Sequence, residues 1–224
     1  YYDNDGNLVS RPQNLAYMNR PGLSYGKRGT YLAIHAHPKG RFFTNEGQGI
    51  FPISDSHFFL LLGYLNSHLC RCLINEYCGQ HKENGYVKLL PIANFIFEHQ
   101  TTLSEYSRII VNKLRELHAG RIEHSESIGL IDSSYINLRD LIISIKARYF
   151  NSIEVVKNAE TKLNQISQSG DIISEEGNVW INKRSIEIPS SEFGTRIFKW
   201  CDVGLVAEII DQIIGSVFGR WDIR

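Results

Sequence analysis

Arg20–Phe43 reads RPGLSYGKRGTYLAIHAHPKGRFF, and this stretch decides what kind of structure opens the chain. TYLAIHAH, Thr30–His37, alternates moderately between apolar and polar residues and predicts a strand. GRFFTN, Gly40–Asn45, predicts a second, shorter one. Pro12, Pro21, Pro38 and Pro52 punctuate the region, so residues 1 to about 53 read as strands and loops.

The same stretch carries an uneven charge. Lys plus Arg and Asp plus Glu both number 24, so the chain is formally neutral. Yet no Asp or Glu stands between Gly6 and Asn45, where Arg11, Arg20, Lys27, Arg28, Lys39 and Arg41 give a local charge of +6, with His35 and His37 beside them. Cations gathered on one surface release counterions from a polyanion and give a salt-sensitive affinity. Gly22, Gly26, Gly29 and Gly40 flank them, and small residues let backbone N–H groups approach a phosphate. Arg can fork onto a guanine edge, and Asn45 or Gln48 has the amide that pairs with adenine. The bland reading is that these charges scatter onto different solvated faces.

Downstream the pattern turns helical. SDSHFFLLLGYLNSHLCRCLINEYCG predicts a helix with Ser54 or Asp55 as N-cap, ending at Gly79. HKENGYVKLLPI reads as extended, and Pro91 stops any continuing helix. Leu103, Tyr106, Ile110, Leu114 and Leu117 then line one face of a helix capped by Thr101 or Thr102. Leu138, Leu141, Ile142, Ile145, Tyr149, Ile153, Val156 and Leu163 make the stripe of another, from about Tyr135 to Ile166. Two long helices joined by a loop suit an antiparallel pair. NVWINKRSIEIP predicts a β-hairpin with Asn182-Lys183 near its turn, and the tail predicts a helix with Asp202 as N-cap and Gly219 just past its end.

The expected fold is therefore α+β, with small β-rich lobes near both ends and a long antiparallel helical spacer between them. Residues 1–100 form a β-rich lobe with one helix, 101–170 the spacer, and 171–224 a hairpin and C-terminal helix completing the domain.

Several chemistries find no motif. The longest apolar run, Phe58 to Leu62, is too short to span a bilayer. Cys70, Cys72, Cys78 and Cys201 match no zinc spacing and read as reduced thiols in a cytoplasmic setting. GKRGT lacks the Walker spacing, His35-Ala36-His37 lacks a third ligand, and no nucleophile elbow or paired carboxylates stand out. The chain opens on YYDNDGNL without Met and reads as a piece of a longer protein.

Three blocks carry a resemblance: NRPGLSYGKRGTYLAIHAHPKGRFFTNEGQGIFP, then LLLGYLNSHLCRCLINEYCGQHKENGYVKLLPIANF, then the closing GSVFGRWDIR. In this order they resemble the C-terminal part of large adenine-specific DNA methyltransferases, both the fused type IIG/IIL restriction-modification enzymes and the methylases of BREX-type phage-defence systems. Leu65-Asn66-Ser67 and the GRWDIR ending are the more specific pieces. The resemblance implies a target recognition domain, which reads double-stranded DNA while an upstream domain binds S-adenosylmethionine and transfers the methyl group. The family's donor site and its Asn-Pro-Pro-Tyr motif do not occur in this sequence, so no catalytic residue and no cofactor are assigned to it.

The residues expected to touch DNA are Arg20, Tyr25, Lys27, Arg28, Lys39 and Arg41, with Lys183 and Arg184 at the hairpin tip. Asn66 and Ser67 are expected to cap or buttress a loop, and Arg220, Trp221 and Arg224 to pack the tail on the methyltransferase domain. The competing class is a protein-interaction module whose helices and apolar tail dock other subunits of a defence complex. RNA binding is a weaker third reading, since no RNA module is present.

Overall fold

The computed structural model describes residues 4–7, 14–119, 137–169 and 173–185. Among these residues the chain is mixed α+β, with seven α-helices and one three-stranded antiparallel sheet. It divides into two compact units, Tyr1–Ser104 and Glu105–Arg224.

In the first unit, β1 (Gly22–Gly26) lies between β2 (Ile34–His37) and β3 (Gly47–Ile50). The register sets Gly22 opposite His37 and Gly26 opposite Gly47. Leu23 and Tyr25 are buried and Ser24 between them is not, the period-two pattern of a strand with one covered face. The Gly40–Asn45 strand expected from sequence is absent. Thr44 instead closes a tight turn, its N–H donating to the Gly47 carbonyl (2.8 Å) while its Oγ1 accepts from the Gly47 N–H (3.0 Å). The third strand starts only after that turn.

The single helix expected over residues 55–79 is two. α1 (His57–Leu65) packs on β1 and β2, and α2 (His68–Cys78) packs on α1. The break falls at Asn66-Ser67. Asn66 turns its amide back to the Leu62 carbonyl (2.8 Å), and Ser67 is extended and caps α2, accepting the Cys70 N–H (3.4 Å). α1 starts after Ser56 rather than at Ser54 or Asp55. Gly79, in positive φ, stands just past the end of α2 as expected.

Residues 81–92 are not extended throughout, because α3 (Asn84–Val87) and α4 (Asn94–Glu98) bracket Pro91. Leu90 is buried there, and the Pro91 carbonyl accepts the Tyr64 hydroxyl (2.5 Å). The described cysteines, Cys70, Cys72 and Cys78, are free thiols. Burial pushes the Cys70 thiol up to about 12, which keeps it neutral and inert.

α5 (Gln100–Ala119) starts before the expected threonine caps and runs from the first unit into the second. α6 (Leu138–Gln168) is capped by Asn137, whose side chain accepts the Asp140 N–H (2.9 Å). Leu141, Ile145, Ile153, Val156 and Leu163 are all buried, so the apolar stripe read from sequence is a packed face.

The expected hairpin at Asn178–Pro189 is overturned as far as it is described. α7 (Glu175–Ser185) is helical through the expected turn at Asn182-Lys183. Val179 is 65% exposed and Ile181 2%, although a strand would put both on one face. Glu175 and Glu176 in the first turn and Lys183 and Arg184 in the last complement the helix dipole. Ser174 anchors the start, its Oγ accepting the Gly177 N–H (3.1 Å). The tail helix, Cys201 and the GRWDIR ending lie outside the described residues.

Candidate nucleic-acid interface

β1 divides the acid-free segment. Arg20 precedes the strand and Lys27 and Arg28 follow it, while the antiparallel register returns Pro38–Arg41 to the Gly22 end. Four residue steps separate Gly22 from Gly26, about 13 Å of extended chain. Among the described residues these cations therefore form two groups at opposite ends of one strand, and Arg11 lies outside those residues.

At the Gly26 end the charges are paired. The Lys27 ammonium lies 3.0 Å from Glu83, and the Arg28 guanidinium 3.1 Å from Glu46. The backbone is tied down as well. Lys27 N–H donates to the Glu46 carbonyl (2.7 Å), Lys82 N–H to the Lys27 carbonyl (2.7 Å), and Gly29 N–H to the Gln80 carbonyl (3.2 Å). Arg28 also pairs with His81 in an isolated antiparallel bridge.

Beneath this lies Lys82, 0% exposed. Its ammonium donates to the Gly29 carbonyl (2.6 Å) and to the Gly79 carbonyl at the end of α2 (2.7 Å). Burial holds its pKa below the ordinary lysine value, and the two carbonyls compensate the charge that remains. The residue is a pin between the Lys27–Gly29 loop and α2.

Tyr25 does not reach the surface. It is 1% exposed, with its hydroxyl 2.7 Å from Gln48 Oε1 and 2.6 Å from Asn84 Oδ1. One hydroxyl proton serves one oxygen, so one of the two amides presents its NH2 to Tyr25 instead. Burial pushes the phenol well above its ordinary pKa. Gln48, expected as a base reader, is thus engaged with the core.

At the Gly22 end the charges stand free. Arg20, Lys39 and Arg41 are exposed and have no ion-pair partner among the described residues. Gly40 N–H donates to the Asn19 carbonyl (3.3 Å), which joins the two chain segments that carry them. Buried His37 meets the Arg41 carbonyl through Nε2 (3.1 Å), and Arg20 stacks over Tyr17 with its guanidinium carbon 5.3 Å from the ring centroid. Phe42 is exposed beside Arg41.

Gly22 and Gly49 serve the frame. A Cβ at Gly22 would lie 2.8 Å from the Phe51 ring, and one at Gly49 2.6 Å from it. Phe51 lies across both, and packs on Tyr17 and Phe43. Gly40 has φ +86°, which a side chain rarely adopts, and this permits the turn between Lys39 and Arg41.

In the second unit Lys183 and Arg184 are exposed on the last turn of α7, and Arg184 stacks over Trp180 at 5.1 Å. Among the described residues no group of three His, Cys, Asp or Glu could hold a metal, and no helix is long and apolar enough to cross a membrane.

No protein-family model and no curated protein matches this chain. Glu46, Glu83 and Lys82 were not among the residues singled out from sequence. The Lys27–Glu83 partnership joins positions far apart in the chain, and only the fold makes it visible.

Proposed function

We propose that the chain is the DNA-reading, non-catalytic part of a site-specific adenine-N6 DNA methyltransferase, and that the Gly22 end of the sheet grips the duplex. One observation carries the grip: Arg20, Lys39 and Arg41 stand together at one end of β1 without an ion-pair partner among the described residues, in a chain of zero net charge. Unpaired cations are free to displace counterions from phosphates, whereas Lys27 and Arg28 would first have to leave Glu83 and Glu46. The methyltransferase context rests on the resemblance of residues 19–97 and the closing ten residues. In this reading S-adenosylmethionine binds the upstream domain, α5 and α6 belong to the helical spacer, and Lys183 and Arg184 are a separate DNA contact.

The test is duplex binding by the full-length protein across a salt series. An Arg20→Gln, Lys39→Gln, Arg41→Gln variant should flatten the slope of log K against log salt by about 0.9 per lost contact. A Lys27→Gln, Arg28→Gln variant should change it little. An unchanged slope in the triple variant removes the Gly22 end from the interface, and no salt-dependent duplex binding at all removes the DNA reading.

A second reading has its own observation. Ile143 and Phe150, seven residues apart on α6, are each more than half exposed. A protein-docking role predicts that Ile143→Ser with Phe150→Ser releases a partner subunit while duplex binding stays intact.

A further inference from the structure

Phe42 combines a free ring with a fixed backbone. The residue is 66% exposed, and the chain is held on both sides of it. Upstream, the Arg41 carbonyl meets His37 Nε2 at 3.1 Å, and Gly40 N–H donates to Asn19. Downstream, Phe43 packs on Phe51 with ring centroids 5.3 Å apart, and Thr44 closes its turn with Gly47. A large apolar side chain left in water on an anchored turn is poised to be buried in a complex.

The surroundings say against what. Lys39 and Arg41 flank the turn and Arg20 is joined to it through Asn19, all exposed and unpaired among the described residues. An apolar protein partner would have to bury or neutralise three cations. A duplex answers them with phosphates and offers the ring apolar surface within reach of those phosphates, of which the faces of stacked bases are the largest and flattest.

Resting on the duplex-binding reading, we propose that Phe42 is a wedge: it enters between two neighbouring base pairs, partly unstacks that step, and bends the duplex while Arg20, Lys39 and Arg41 hold the flanking phosphates. The step it enters lies away from the base to be modified. Such a wedge favours easily unstacked steps, pyrimidine followed by purine, and so reads sequence through deformability. The ring is a positioning residue and takes no part in methyl transfer.

The experiment uses the full-length protein and a duplex selected by it from a random pool, with 2-aminopurine placed at each position in turn and end-to-end energy transfer to report bending. Expected is a fluorescence rise at one step that Phe42→Ala abolishes, together with the bend, and an affinity loss of about tenfold at unchanged salt slope. Phe42→Leu, still an apolar wedge, should retain much of the signal. Any rise at a flipped target base should persist in Phe42→Ala. If the step-specific rise and the bend survive in Phe42→Ala, the wedge is overturned while duplex binding stands. If the selection enriches no duplex, the underlying DNA reading falls with it, and the two failures are thereby distinct.

Discussion

Asn66 pairs with both backbone groups of Ile34: its Oδ1 accepts the Ile34 N–H and its Nδ2 donates to the Ile34 carbonyl, each at 3.0 Å. An amide side chain presents the same donor and acceptor as a peptide, so Asn66 acts as a one-residue strand along β2. β2 lies at the edge of the sheet, where unpaired backbone groups invite foreign strands. Asn66→Ala should cost about 1–3 kcal/mol for each polar group left buried and unpaired. Urea unfolding of the protein measures it. Asn66→Asp keeps the acceptor but sets a carboxylate oxygen against the Ile34 and Leu62 carbonyls, so it should destabilise at least as much as alanine at neutral pH.

Glu46 and Glu83 restrain two of the cations expected to touch DNA. A Glu46→Gln, Glu83→Gln variant should therefore bind duplex more tightly at low salt. Its salt slope should steepen by up to about 0.9 for each cation released. An unaltered slope would mean that Lys27 and Arg28 face away from the DNA.

His68, at the start of α2, is held below the ordinary imidazole pKa by burial and then by the positive field of Arg71. Its folded pKa lies below its unfolded one, so the unfolded chain binds the proton more readily. Stability should fall as the pH drops below about 6.5, and the penalty is complete once the pH passes the depressed folded value. Denaturant midpoints between pH 7.5 and 5 should decline less in His68→Asn than in the parent.

Lys82→Met keeps the stem and removes both ammonium hydrogen bonds. It also relieves the cost of a buried charge, yet it leaves the Gly29 and Gly79 carbonyls without this donor. The net expectation is a loss of about 2 kcal/mol, since breaking one side of a buried charged contact outweighs the relief. Thermal unfolding reads the loss. Hydrogen exchange should quicken at Gly29, whose amide is tied to Gln80 in the same corner.

Legibility in the sequence followed the range of the forces involved. The apolar stripe of α6 was plain because periodicity is local, and Ile145, Ile153 and Val156 are buried where it put them. The Asn178–Ser185 segment failed because Val179, Trp180 and Ile181 suit a strand as well as a helix. End charges and the Ser174 anchor decide for the helix. The capping character of Asn66 and Ser67 is legible, but that it breaks the helix is not, since the partner that turns Asn66 outward is the backbone of Ile34, far away in sequence. The excess of positive charge near the N-terminus was legible, but its division was not. Strand register sends Lys39 and Arg41 one way and Lys27 and Arg28 the other, and among the described residues Glu46 and Glu83 close on the second group alone.

The Pro38–Glu46 connection contributes no residue to the buried core, although it carries Lys39, Arg41 and Phe42. Its price for change is low. Lengthening it by two glycines after Gly40 should add less than about 1 kcal/mol of loop-closure cost, and any larger loss in urea unfolding would measure the His37–Arg41 and Phe43–Phe51 anchors. The same insertion should alter which duplexes are selected, which sequencing of the bound pool would reveal. In the duplex-binding reading proposed above, trading this loop reassigns the site while Asn66, Lys82 and Tyr25 keep the scaffold constant. On that reading the Pro38–Glu46 turn is the exchangeable part, and the buried pins at Tyr25, Asn66 and Lys82 are the part that stays.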